Sequence, residues 1–475
     1  MAWYRLIFFN IIWWIIQICW LWNDRVLQDG DEKGHVEAME LFKLDWQSHS
    51  FFEGLYRCGQ NIWMGNYGEY PPLFAAIYGT VWALLECCLQ STVSPYSPLL
   101  RLWLLCPLWI SSMCMARIVY RYKGDWEFTW MIMLCLPLGN GIARHYMPEN
   151  FILLFTSLSM LFSLEFSQKI QWWKMAILGI TVGLGLLSKQ TFIIIAPLVI
   201  FTMFLERKQS PALLQAMLWA GLIAIPWYLQ QFSAQSAYLL SSSQAKMPHH
   251  WIWQILFYPS SILLLGWGLL ISLGTIIALF NIRKHRIFCP LWLKVWLCTL
   301  VIFMILPKQY PRLLLGWLPC AAILMGLAFQ QCRVHSKILI SSVLFVSTIF
   351  SSWTDYPQQI FHHHIQPKID DGCPQVWLRP PQHHDLWMNK IADMAKNYPF
   401  ASIEVLGDHE IDCQLQSTHS WNSHLDPFLR MMGLDRDIKF HDKEPFNWNS
   451  DAILIIWKKE DRILVEPIII APNQQ

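Results

Sequence analysis

The 475 residues are 55% hydrophobic and only 14% charged, with 28 tryptophans and a formal net charge of +2. A soluble domain carries about 25% charge, so a disordered, collagenous, small disulfide-rich or ordinary cytosolic protein is excluded. No basic-aromatic stripe points to nucleic acid. Of the 68 charges, 39 fall in residues 1–353 and 29 in residues 354–475. The first part therefore reads as a membrane-embedded module and the second as a soluble domain.

A helix needs about 20 apolar residues to cross the hydrocarbon core. Leu6–Trp22 lacks a small-residue cleavage site and reads as a retained first span. Apolar windows follow at Pro71–Leu89, Leu99–Ala116, Phe128–Gly139, Phe151–Phe166, Trp172–Leu187 and Thr191–Leu205. Ala212–Leu229, Ile252–Phe280, Leu291–Leu306, Leu313–Phe329 and Ile338–Trp353 complete the set. We expect a mostly α, polytopic transmembrane bundle of about 11–13 spans. Cys19, Cys106, Cys114, Cys135 and Cys298 lie inside these windows as small hydrophobes, and only Cys373 and Cys413 are placed to pair in the soluble part.

Lys and Arg mark cytoplasmic loops. Arg117 to Lys123, Lys169 with Lys174, Arg207 with Lys208, Arg283 to Arg286, and Arg333 with Lys337 fall at every second connection. The alternate segments 140–150, 188–190, 230–251, 307–312 and the tail from 354 then face outside. Arg5 puts the N-terminus inside, so 23–70 is an outer loop, with nine acidic and four basic residues. Residues 71–116 must cross an odd number of times although they hold two windows. One of these must lie in the interface, re-enter or be split.

Ionisable groups at a membrane edge are costly and mark function. On the outer side the sequence offers Asp31 and Glu32, then Glu69-Tyr70-Pro71-Pro72-Leu73, then Arg144-His145 and Glu149. Lys189, the pair His249-His250, and Lys308 with Arg312 follow. Carboxylates serve as bases or metal ligands, and Lys and Arg hold phosphate. Such a set suits a substrate with a lipid tail in the bilayer and a phosphate at its surface. Each residue also has a plainer reading: Glu69 and Glu149 suit helix N-termini, Lys189 a snorkelling turn, and the histidines an aromatic interface. The run His362-His363-His364 has no partner ligands at zinc-site spacing.

At these residues the chain resembles GT-C fold glycosyltransferases, in the branch of bacterial aminoarabinose transferases and protein O-mannosyltransferases. The resemblance covers most of residues 1–330. It rests on Asp31-Glu32 after the first span, Tyr70–Leu73 opening an apolar run, and Glu149 before a span. The Leu187–Lys189 turn, a His-containing outer loop running into Phe257-Tyr258-Pro259, and a Lys308-to-Arg312 turn leading to Pro319 complete it. The resemblance implies transfer of a sugar from a polyprenyl-phosphate donor to a lipid, glycan or protein acceptor outside the cytoplasm, with inversion. Asp31 would be the catalytic base and Glu32 its helper. Lys189, Lys308 and Arg312 would stabilise the departing phosphate, and Glu149 and Tyr70 would line the substrate site. Glu69 with His249 or His250 would hold a divalent metal. The chain has Tyr70 where aminoarabinose transferases have Lys, and Glu149 where many relatives have Asp.

In the tail, Leu386–Tyr398 and Trp421–Met432 have helical periodicity, while Ala401–Leu406, Asp451–Trp457 and Ile463–Glu466 have strand length. A small extracytoplasmic α/β domain is expected over 354–475. The competing function is a transporter or flippase of a lipid-linked substrate. Paired halves with broken helices at mid-membrane would favour it, but no internal repeat is visible and the charges sit at the boundary. A membrane scaffold, the third alternative, leaves that clustering unexplained.

Overall fold

The computed structural model describes residues 2–24, 30–64, 71–95, 97–166, 170–206, 210–233, 236, 256–257, 259–303, 311–330, 334–353, 385–406, 438–441, 451–456 and 468–472. They divide between two compact units. One draws on Met1–Cys19 and His35–Asp370, the other on Trp20–Gly34 and Pro381–Gln475.

The first unit is a helical bundle. It starts with the parts of α1 (Ala2–Asn23) and α2 (Gly30–Ser48) outside Trp20–Gly34, followed by α3 (Phe51–Met64) and α4 (Leu73–Leu89). Leu6–Asn23, Pro98–Arg121, Glu149–Phe166 and Ala212–Gln230 are each long and apolar enough to cross a membrane. Pro259–Gly266 and Gly268–Lys284 do so together as a pair bent by 115°. Shorter apolar helices include Trp172–Leu186, Phe192–Thr202, Arg312–Ala328 and Lys337–Val346. This is the make-up of an integral membrane protein.

Within the expected outer loop 23–70, α2 and α3 fill most of residues 30–64. α2 carries Asp31, Glu32, Lys33, Glu37, Glu40, Lys43 and Asp45 within 19 residues, which is incompatible with a place in hydrocarbon. α4 runs alongside it. The His35 and Phe74 rings meet at 5.7 Å, and Trp46 Nε1 donates to Thr80 Oγ1 at 2.7 Å. Further along, Gln47 Nε2 donates to Glu86 Oε2 at 2.5 Å, and Lys43 stands 3.6 Å from Glu86. The pairs keep one order along both helices, so these two pack in parallel. Gly79 permits the approach, since a Cβ there would stand 2.5 Å from the Met39 carbonyl. Of the two windows between 71 and 116, Pro98–Arg121 has the length and hydropathy of a span, while α4 is a shorter apolar helix packed along the polar α2.

The apolar stretch 126–142 is broken into two helices, Trp126–Leu134 and Pro137–Ile142. Pro137 has no N–H to donate and ends the helix Trp126–Leu134, freeing carbonyls that need partners. Asn140 Nδ2 donates to Leu134 O at 2.7 Å and Leu136 O at 2.9 Å. Its Oδ1 accepts from Trp13 Nε1 at 3.1 Å and Gln17 Nε2 at 3.0 Å, tying α1 to the break.

The second unit contains a helix, Asp385–Asn397, and four short strands: β1 (Ile403–Leu406), β2 (Ile438–His441), β3 (Ile453–Ile456) and β4 (Ile468–Ile470). The sheet order is β2-β1-β3-β4. β1 is parallel to both neighbours, and β4 is antiparallel to β3. Ile391, Ala395, Ile403 and Ile453 are buried in this unit. The expected helix over 386–398 and the first two expected strands are observed within a few residues. The expected third strand (463–466), the helix over 421–432, Cys373 and Cys413 lie outside the described residues.

Candidate active site

Glu149 opens the helix Glu149–Phe166, where a carboxylate suits the helix dipole. Lys189 lies in the turn between the helices Trp172–Leu186 and Phe192–Glu206. That turn is tight because residue 185 is glycine: a Cβ there would meet the Phe192 ring at 2.4 Å. Ser188 Oγ donates to Gly185 O at 2.6 Å and Phe192 N to Lys189 O at 3.1 Å, which fixes the lysine's backbone. Arg312 lies in the 3₁₀ segment Pro311–Trp317. Trp317 pins that segment by donating from Nε1 to Trp296 O at 3.1 Å and Thr299 Oγ1 at 2.9 Å.

These three side chains meet. Lys189 Nζ donates to Glu149 Oε1, and Arg312 Nε stands 3.3 Å from the same oxygen. Glu149 is fully buried and the two cations nearly so. A buried ion cluster is weak evidence for stability, because desolvation offsets much of the attraction. It is, however, a preorganised electrostatic site, with cations already held where they cannot reorganise.

The surrounding shell is also polar. Leu73 N donates to Leu187 O at 3.2 Å, so the Pro-Pro-Leu segment abuts the lysine turn. Phe74 and Tyr78 both contact the Phe151 ring at 5.5 Å, joining α4 to the first turns of the Glu149 helix. Arg101, fully buried, grips the Arg144 carbonyl with Nε at 3.2 Å and Nη2 at 2.9 Å. Arg144 Nε donates to Gln17 Oε1 at 2.8 Å. Tyr146 OH donates to Pro95 O at 2.6 Å, and Asn150 Nδ2 donates to Ile142 O at 3.1 Å. Arg101 and Gln17 are hidden in the sequence because each sits singly inside an apolar window, and Asn140 because it directly follows one. The signal that could have found them is the cost of a polar side chain at that depth.

Of the other expected site residues, Asp31 and Glu32 lie in the first turn of α2, and Glu32 is fully buried. Glu69, Tyr70, His249, His250 and Lys308 lie outside the described residues. Among the described residues no three His, Cys, Asp or Glu side chains group as a metal site.

Residues 100–229 match the family described as dolichyl-phosphate-mannose-protein mannosyltransferase. No curated protein matches the chain in sequence. Among solved structures, ArnT from Cupriavidus metallidurans in the apo state aligns with a TM-score of 0.56 at 14% identity, over 95% of this chain and 93% of that one. The same protein bound to undecaprenyl phosphate aligns with a TM-score of 0.56 at 13% identity and the same coverage. The archaeal oligosaccharyltransferase AglB from Archaeoglobus fulgidus aligns more loosely, with a TM-score of 0.49 at 12% identity, over 96% of this chain and 69% of that one. With a helical bundle matched along nearly its whole length, this chain has the GT-C glycosyltransferase fold.

Proposed function

We propose that the protein transfers a sugar from a polyprenyl-phosphate donor to a lipid, glycan or protein acceptor at the outer face of the membrane. The observation that carries this reading is the buried convergence of Lys189 and Arg312 on Glu149. It lies beside the meeting of Leu73 with Leu187. Two fixed cations at the end of an apolar bundle suit the phosphate of a lipid whose tail lies among the helices. Undecaprenyl phosphate bound to ArnT, a protein of the same fold, supports it.

In this reading Lys189, Arg312 and Lys308 hold the donor phosphate. Asp31 takes the proton of the acceptor nucleophile as that atom attacks C1 of the sugar from the side opposite the phosphate. The C1–O bond breaks with inversion, and its electron pair stays on the phosphate, where the cations stabilise the new charge. Glu32 supports the base, and Tyr70 and Glu149 line the substrate site. Glu69, His249 and His250 are the residues that would hold a divalent cation. No step above depends on one. A flippase would need the same phosphate site but no base.

Asp31→Asn keeps the shape and removes the basicity. General-base assistance is worth about 10²–10⁴-fold. Transfer from a radiolabelled polyprenyl-phosphate sugar should therefore fall at least about a hundredfold in that variant, with donor binding retained, and Glu32→Gln should lose less. Wild-type rates in both variants would refute the proposed chemistry.

A further inference from the structure

We propose that the end of the bundle far from Glu149 binds the headgroup of an anionic phospholipid, through a patch formed by Lys123, Arg283, Lys284 and Arg286. This is independent of the transfer chemistry.

The helix that opens at Glu149 closes at Phe166. There Glu165 pairs with Arg117 at 3.0 Å and also with Arg121. Asp125 pairs with Lys337. Those three cations are answered by carboxylates of the chain itself. Lys123, Arg283, Lys284 and Arg286 are exposed, and among the described residues no carboxylate pairs with any of them. They come from two connections far apart in the sequence, and packing joins these. The Phe288 ring stacks on Tyr122 at 6.2 Å and 23°, and Tyr122 Oη accepts from Trp292 Nε1 at 2.8 Å.

The backbone of both connections is also unusual. The helix Cys106–Arg121 closes with Gly124 N donating to Val119 O at 2.9 Å and Lys123 N to Tyr120 O at 3.0 Å. The helix Gly268–Lys284 closes the same way, Ile287 N donating to Ile282 O at 2.9 Å and Arg286 N to Arg283 O at 3.4 Å. This closure places one residue in the left-handed region, where glycine is the usual choice. Here φ is 58° at Lys123 and 50° at Arg286, which a residue with a Cβ adopts at a cost. A cation near a helix C-terminus suits the dipole, but Arg121, Arg283 and Lys284 already supply it in the last turns. The preference of basic loops for one side of the membrane needs only net charge, from any position. Neither accounts for two further cations at strained positions in two adjoining turns.

The surroundings identify the anion. On the helix Gly268–Lys284, Leu269, Leu273, Ile276, Ile277 and Phe280 are exposed, as suits a face turned to lipid, and this face runs up to Arg283 and Lys284. The patch therefore lies at the rim of the hydrocarbon, where the anion within reach is a lipid phosphate. Guanidinium groups match its oxygens bidentately, and basic pockets at helix ends hold anionic headgroups.

The test reads lipid binding by the full chain, purified in detergent. Dioleoylphosphatidylglycerol is titrated in, with dioleoylphosphatidylcholine as its zwitterionic counterpart, and bound lipid is counted by native mass spectrometry. The wild type should prefer the anionic lipid, and inorganic phosphate at millimolar concentration should not displace it. Glycine suits a left-handed position, so Lys123→Gly with Arg286→Gly should not lower the unfolding midpoint. A cation near an anionic headgroup is worth about fivefold in affinity. The double variant should thus bind phosphatidylglycerol about twentyfold more weakly, with phosphatidylcholine unchanged. Arg283→Gln with Lys284→Gln, at exposed helix positions, should lose as much, and Lys123→Arg should keep the affinity. Arg117→Gln removes a charge at the same end from the Glu165 pair and should change it by less than about twofold. Equal binding of the two lipids by the wild type overturns the proposal, as does wild-type affinity in either double variant. A loss in Arg117→Gln as large as in Lys123→Gly alone would assign the lipid to the net charge of this end, and displacement by inorganic phosphate would leave a plain anion site. Either result overturns the patch described here.

Discussion

At the scale of single residues, the chemistry depends on one carboxylate serving two cations. Removing one cation leaves Glu149 with a single counter-charge in a dry setting, and breaking a buried pair typically costs about 3–5 kcal/mol. Lys189→Met should therefore lower the thermal unfolding midpoint in detergent. The double variant Lys189→Met with Glu149→Gln should regain most of that stability and none of the transfer activity. If the double variant is no more stable than the single one, the pair is not the buried couple described here. Glu149, Lys189 and Arg312 were each legible in the sequence as ionisable groups at a membrane edge. Their convergence was not, because it comes from three connections far apart in the chain and no local spacing encodes it. Arg101 and Gln17 were illegible for the opposite reason: each is a lone polar residue in a run that hydropathy reads as continuous, so only the Arg144 between them was legible.

At the scale of elements, hydropathy found the apolar windows but could not tell a crossing from a helix laid against another helix. α4 is apolar enough for either. Its neighbour α2 announces itself in the sequence only by a charge density that equally suits a loop. Gly79→Leu tests the packing directly. Its side chain would drive into the Met39 carbonyl and Phe42, and overpacking of this kind costs about 1–3 kcal/mol. It should loosen α4 from α2, read as faster amide exchange in residues 73–89, whereas the same change at the exposed Gly34 should not. Thiol chemistry offers a second check. Cys87 and Cys88 on α4 are exposed, while Cys58 on α3 is buried. Burial, with the charge of Asp45 nearby, pushes the Cys58 thiol up to about 11. Only the thiolate reacts, so at mildly alkaline pH a water-soluble alkylating reagent should modify Cys87 and Cys88 and spare Cys58 in the folded protein. Rapid modification of Cys58, seen by peptide mapping, would contradict the packing of α3.

At the scale of the whole molecule, the helices of the first unit tie two ends separately, and each end is defined by contacts rather than by hydropathy. One end gathers Glu149, Lys189 and Arg312, the Leu73–Leu187 contact and the Tyr146–Pro95 contact. At the other, Trp292 Nε1 donates to Tyr122 Oη at 2.8 Å, and Asp125 N donates to Gly326 O at 2.8 Å. Lys337 pairs with Asp125 there, and Arg117 Nε reaches Glu165 at 3.0 Å. Among the described residues, Arg117, Arg121 and Lys337, read as cytoplasmic from their charge, fall at this second end, and Glu149, Lys189 and Arg312 fall at the first. The contacts thus separate the two sets, but which end faces the cytoplasm rests on the preference of Lys and Arg for the inner side. That preference is tested by placing single cysteines at Gln90 and Lys284, both exposed, in a background without other reactive thiols. A membrane-impermeant maleimide applied to intact cells should label Gln90→Cys, because both flanks of α4 meet the end that holds the site, Leu73 at Leu187 and Pro95 at Tyr146. Lys284→Cys should label only after the membrane is opened. The reverse pattern would place the site in the cytoplasm and end the outer-face proposal. Labelling of both from outside would mean that the helices between them do not cross the odd number of times that the alternation of basic loops requires.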